Sequence, residues 1–134
     1  MLRVAVDANV WISALLHGRG TRPILDAFIV HRFRLITSDT LIEELSGIIS
    51  RPEWQAALSA AECRELLALM REAGTVVTPR ERIAACRDPD DNALLECAVG
   101  HADVLVSGDN DLLILHPFRG LRILKPADFL QFLP

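Results

Sequence analysis

Five carboxylates stand where apolar segments of this chain run out. Asp7 follows the apolar run 2–6, and Glu44 lies on the first turns of a helix entered from Ile36-Thr37-Ser38. Asp91 heads a helix that starts within Arg87-Asp88-Pro89-Asp90-Asp91-Asn92. Asp109 and Asp111 follow Val104-Leu105-Val106-Ser107-Gly108. In a parallel α/β fold the carboxyl ends of the strands share one edge of the sheet, and ligands bind there. Carboxylates gathered at that edge repel one another and must either hold protons or surround a positive charge. An all-oxygen, anionic donor set suits a hard divalent cation, Mg²⁺ or Mn²⁺. The chemistry to expect is therefore that of a metal-dependent enzyme.

Each acid alone has an ordinary structural explanation. An aspartate after a strand forms turns and caps helices. Asp91 at a helix start is favoured by the positive end of the helix dipole. Glu44 reads equally as a solvated helix residue, and its neighbour Glu43 as part of a Thr40-x-x-Glu43 capping box. Asp109 and Asp111 suit a polar turn. What these explanations do not supply is a reason for all five acids to meet at one sheet edge.

The elements that must bring them together alternate along the chain. Residues 2–6 form a short continuous apolar run, the pattern of a strand buried on both faces. Further strands are expected over 33–37, 75–78, 103–107 and 121–124. Helices are expected over 10–16, 22–30, from about 40 to the Arg51-Pro52 break, 53–58, 60–73, 92–100, 111–115 and 126–133. Pro23 and Pro126 fit first helical turns, and Gly74 closes the helix over 60–73. Five strands separated by helices predict an α/β three-layer sandwich with a five-stranded parallel sheet, one domain over 1–134.

Composition narrows the class. Just over half of the 134 residues are apolar, yet no run is long enough for a membrane span, and the N-terminus reads as a strand rather than a signal peptide. Cys63, Cys86 and Cys97 are odd in number and unpaired in spacing, which reads as free thiols in a reducing, cytoplasmic setting. The four histidines lack zinc-site spacing. A net charge of −4 argues against a nucleic-acid coat protein, though not against a nuclease whose pocket holds the excess acid. Thirteen of the fourteen basic residues are arginine, the residue suited to planar contact with phosphate. Trp11 and Trp54 read as packing residues and His116 as a surface turn residue.

Four segments in order, Val6-Asp7-Ala8-Asn9-Val10, Ile42-Glu43-Glu44-Leu45, Arg87-Asp88-Pro89-Asp90-Asp91-Asn92-Ala93 and Val106-Ser107-Gly108-Asp109-Asn110-Asp111-Leu112-Leu113, give the chain a family resemblance. It resembles the PIN domain, and in particular the small prokaryotic PIN proteins grouped with VapC-type toxins. The resemblance implies a Mg²⁺- or Mn²⁺-dependent endoribonuclease. It maps the acidic ligands onto Asp7, Glu44, Asp91 and Asp109, with Asp111 as an additional ligand. Either Asp109 or Asp111 is the closer one, and Asp88 and Asp90 compete with Asp91. Asn9 is then the partner that supports Asp7, and Ser107 orients the cluster by hydrogen bonding. The partners implied are an RNA substrate, a cognate antitoxin and a second copy of the chain in a homodimer, for which the helices over 53–73 offer apolar faces.

One or two ions held by these acids would activate water for in-line attack on a phosphodiester and neutralise the phosphoryl oxygens, leaving 5′-phosphate and 3′-hydroxyl ends. Arg87, leading into Asp91, is a candidate contact for substrate phosphate. Three rival readings use parts of the same pattern. A phospho-receiver domain would explain Leu124-Lys125-Pro126, but the third strand ends in Thr78-Pro79-Arg80, without the acceptor aspartate. A phosphatase needs a second acid where Asp7-Ala8-Asn9 has asparagine. A non-catalytic PIN-like module that only binds RNA or protein gains nothing from acids that repel phosphate.

Overall fold

The computed structural model describes all of residues 1–134. Its strands are β1 (Arg3–Val6), β2 (Arg34–Thr37), β3 (Thr75–Val76), β4 (Val104–Val106) and β5 (Arg122–Leu124). Its helices are α1 (Ala8–Leu15), α2 (Arg22–Ile29), α3 (Asp39–Ile49), α4 (Pro52–Gln55), α5 (Ala60–Ala73), α6 (Pro89–Ala98), α7 (Asn110–Leu113) and α8 (Pro126–Phe132). The strands form one sheet in the order β3-β2-β1-β4-β5, and every pairing is parallel.

Alternation along the strands divides the core in two. Val4, Val6, Leu35, Val104 and Val106 face one side, where Trp11, Phe28, Leu45, Leu66 and Phe129 from α1, α2, α3, α5 and α8 cover them. Ala5, Leu105 and Ile123 face the other side, against Leu94, Leu95 and Leu112 from α6 and α7. This is the three-layer arrangement expected of continuous apolar strands. On the first side Trp11, Phe28, Phe33 and Phe129 stack in sequence with ring centroids 5.6, 5.8 and 5.6 Å apart. Trp11 is a packing residue, and Trp54 packs at the margin of the same core. Cys63 and Cys97 are buried and unbridged, and burial pushes the Cys97 thiol up to about 12. No helix is long and apolar enough to cross a membrane.

Several boundaries differ from the sequence pattern for local reasons. The helix expected from Thr40 begins at Asp39, because Ser38 leaves β2 in an extended conformation and its hydroxyl accepts from the Leu41 amide at 3.2 Å. The Thr40–Glu43 pair therefore lies inside the first turns, and Ser38 provides the cap. The helix expected over 92–100 starts at Pro89 behind an Asp88 cap, so Asp91 does not cap it. Strand β3 pairs over two residues only and is exposed at the sheet edge. Gly74 ends α5 with φ −81°, not in a left-handed turn; a Cβ there would run into the Met70 carbonyl oxygen. His116 is in an exposed turn and its Nδ1 accepts from the Ile123 amide at 2.9 Å.

The topology sets where a ligand can sit. The chain steps outward from β1 to β2 and β3, then returns to place β4 on the other side of β1. After β1 the chain turns to the first face through α1, and after β4 it turns to the second through α7. The two exits diverge and leave a crevice over the carboxyl ends of β1 and β4. This order also differs from the 2-1-3-4-5 order of receiver-type folds, whose acceptor strand neighbours β1.

Candidate metal centre

The crevice is lined from both exits. Asp7 is the first residue beyond β1; its amide still donates to the Val106 carbonyl of β4 at 2.9 Å while its side chain caps α1. Its Oδ1 accepts from the Asn9 amide at 3.0 Å and its Oδ2 from the Ser107 hydroxyl at 2.8 Å. Ser107, fully buried after β4, also accepts from the Asp109 amide at 3.0 Å. Asp109 caps α7, with Oδ1 accepting from the Asp111 amide at 2.9 Å. One hydroxyl thus fixes the ends of two neighbouring strands relative to each other. The capping explanation and the functional one coexist at Asp7 and Asp109, since each carboxylate oxygen has lone pairs to spare.

Asp91 reaches the same place from the second face. Asp88 takes the cap of α6, its Oδ1 accepting from the Asp90 amide at 2.9 Å, and Asp91 sits one turn further in. There its side chain is buried, and its Oδ2 has no hydrogen-bond partner. One carboxylate oxygen from each of Asp91, Asp109 and Asp111 lies within 4.8 Å of the others. Glu44, from α3, lines a cleft of about 200 Å³ together with Asp7, Asp88, Asp90, Asp91 and Asp109.

Crowding is visible in the proton affinities. Burial, then Asp90 and Asp7, raise Glu44 to about 7. Burial, then the Asp109 carboxylate, raise Asp91 to about 7. Burial also raises Asp7, against the opposing bonds from the Asn9 amide and the Ser107 hydroxyl. All three shifts are led by burial, and neighbouring carboxylates add to each. The oxygen-only donor set and the orphaned Asp91 Oδ2 fit a hard divalent cation.

Two expectations take a different form in space. Asn9 supports Asp7 through its main-chain amide, a service any residue but proline could give, while its own side chain is exposed. Arg87 is exposed and bonds Asp111 at 3.1 and 3.4 Å, so in this structure it pairs with an acid of the cluster. Other features are absent from the sequence reading. Arg51 is the one basic side chain lining the acidic cleft, and it lies just beyond the end of α3, the helix that carries Glu44. Asp7 and Asp109 also border a second cleft of about 480 Å³, with Asn9, Ser13, Thr21 and Gly108 as its polar lining. The Ser13 and Thr21 hydroxyls are 2.8 Å apart there. The i, i+4 spacing of Asn9 and Ser13 on α1 was the available signal for it.

Fold and site together define a nuclease-type α/β domain with an acidic centre at the switch point of its sheet. Residues 3–111 match the family model described as PIN domain, and the chain belongs to that family, whose members are typically metal-dependent nucleases. The chain is also 27% identical over 116 residues to the uncharacterized protein MJ1680 of Methanocaldococcus jannaschii, a match covering 85% of this chain and 75% of that protein. No solved structure gives a significant match.

Proposed function

We propose that this protein is a Mg²⁺- or Mn²⁺-dependent endoribonuclease of the VapC-like kind, acting as a single domain in the cytoplasm. The observation that carries the reading is the buried Asp91 carboxylate, whose Oδ2 has no partner and one of whose oxygens lies within 4.8 Å of oxygens of Asp109 and Asp111. Asp7, Asp91 and Asp109 would hold the ion, with Asp111 as a further ligand and Glu44 completing the set from across the cleft. When bound, the ion supplies charge neutralisation at the phosphoryl oxygens and activation of water.

The rest is the work of the protein's own groups. Ser107 and the Asn9 amide hold the Asp7 carboxylate in one orientation. The Asp109 cap holds its carboxylate beside Asp91. Arg51 at the cleft and Arg87 on Asp111 offset part of the negative charge that would repel RNA. Cleavage would leave 5′-phosphate and 3′-hydroxyl ends. The second cleft beside Asp7, which carries fewer carboxylates, suits the approach of an anionic strand better than the first.

A toxin role requires a cognate antitoxin, and a homodimer requires a contact surface. A groove of about 420 Å³ between α2 and α5, in which Leu25, Ile29, Leu66 and Leu69 lie beside Arg22 and three glutamates, supports a protein partner of one of these kinds. The test of the activity is incubation of a mixed RNA pool with Mg²⁺, Mn²⁺ or EDTA, beside an Asp91→Asn variant. Cleavage in either metal, absent with EDTA and in the variant, is expected. Equal cleavage with EDTA would overturn the reading.

A further inference from the structure

A different face of the sheet carries the opposite charge. Helices α6 and α7 pack on the second face, and a concavity of about 620 Å³ remains beside the end of α6, toward the β3 edge of the sheet. Ile36 and Val77 lie at its floor, and Arg3, Arg34, Arg80 and His101 line it, with no acidic residue among the lining side chains. Arg3 and Arg34 are register partners on adjacent strands, so their side chains emerge from the same face about 5 Å apart at the backbone. Arg3 is already paired with Asp103 at 3.0 Å. Arg34 gives one N–H to the Ala73 carbonyl at 3.3 Å and keeps its other donors, and Arg80 has no ion-pair partner within 4.0 Å. The Nδ1 of His101, in the turn that follows α6, is buried without a partner.

We propose that this trough binds the sugar–phosphate backbone of single-stranded RNA, as an accessory site for the substrate of the acidic centre. The inference rests on the ribonuclease reading for the identity of the polyanion. Charge complementarity selects it: in a chain of net charge −4, free guanidinium groups are gathered in one acid-free concavity. Arginines lining a groove can engage the phosphates of a backbone that tracks along it. The trough and the centre lie toward opposite ends of α6, about 15 Å apart for a ten-residue helix, so one strand can reach both.

The experiment measures binding of a fluorescent single-stranded RNA by anisotropy over a salt series, in the Asp91→Asn background so that no cleavage intervenes. Arg34→Gln/Arg80→Gln should weaken binding about tenfold at low salt and flatten the log K against log salt slope by about 0.7 per lost phosphate contact. Arg80→Gln alone removes no intramolecular ion pair and should show about half the slope change, which guards against a folding defect at Arg34. Unchanged affinity and slope in both variants would overturn the trough. Equal competition by poly-glutamate of the same charge would overturn its assignment to RNA. A protein carrying Asp91 that binds RNA through these arginines yet cleaves none in Mg²⁺ or Mn²⁺ would overturn the ribonuclease reading instead.

Discussion

Asp103 and Asp109 bracket the same strand, β4, and the protein treats them in opposite ways. At the entry to the strand, Asp103 accepts from the Arg3 amide at 2.9 Å and from its guanidinium at 3.0 Å. Those bonds hold its carboxyl below the usual range. At the exit, Asp109 sits among Asp7, Asp91 and Asp111, where burial and then the Asp109 carboxylate raise both Asp7 and Asp91. At the entry end, the Asp103 charge is neutralised within the chain. The other end accumulates charge that the chain leaves uncompensated, which is the mark of a site built for something absent from the chain.

Substitution should separate the two ends most sharply. Asp7→Asn or Asp91→Asn should lower RNA cleavage on the order of a thousandfold or more, while thermal melting in EDTA stays level or rises because a buried charge is relieved. Asp103→Asn should leave cleavage unchanged and lower the melting temperature slightly, as expected for an exposed pair. A cleavage defect in Asp103→Asn as large as in Asp91→Asn would erase the distinction.

Ser107→Ala comes next in size. It frees Asp7 Oδ2 and the Asp109 amide together, and support of this kind is typically worth 10–100-fold in metal affinity or activity. Added metal measured against melting temperature would divide the loss: a loss of affinity restores cleavage at high Mn²⁺, a loss of geometry does not.

The smallest expected effect is the pH dependence of the metal-free protein. Glu44 and Asp91 are raised from ordinary values of 4.5 and 3.8 to about 7 in the folded state. Across roughly pH 4 to 7 the folded protein therefore holds protons that the unfolded chain has released, and stability in EDTA falls as pH rises, levelling off above about 7. Asp103 contributes with the opposite sign, its stabilisation being lost as pH falls through its lowered value. Thermal melts from pH 4.5 to 8 in EDTA check this. Glu44→Gln should flatten the curve; a profile that rises between pH 5 and 7 would contradict it.

Much of the exit end was legible because strand exits are marked by apolar runs ending in acids, and parallel topology forces those exits together. The sheet, its five strands and the positions of Asp7, Glu44, Asp91 and Asp109 followed from that rule and the family likeness. Helix starts were less legible, because Ser38 and Thr40, or Asp88 and Asp91, are chemically equivalent caps whose choice depends on how the preceding backbone leaves the sheet. Arg51 was missed because it lies beyond the end of α3, where helical spacing no longer guarantees a shared face. The basic trough was hidden for another reason: Arg3, Arg34, Arg80 and His101 are far apart in sequence and meet only through strand register and the packing of α6 against the sheet.

Binding of Mn²⁺ followed by the loss of its free electron paramagnetic resonance signal, at pH 7.5 and without RNA, tests the metal centre most directly. The protein and its Asp103→Asn variant should both take up Mn²⁺ saturably, and Asp91→Asn should not. Equal uptake by Asp91→Asn, or none by the unaltered protein, would contradict the assignment of the crowded acids to a metal ion.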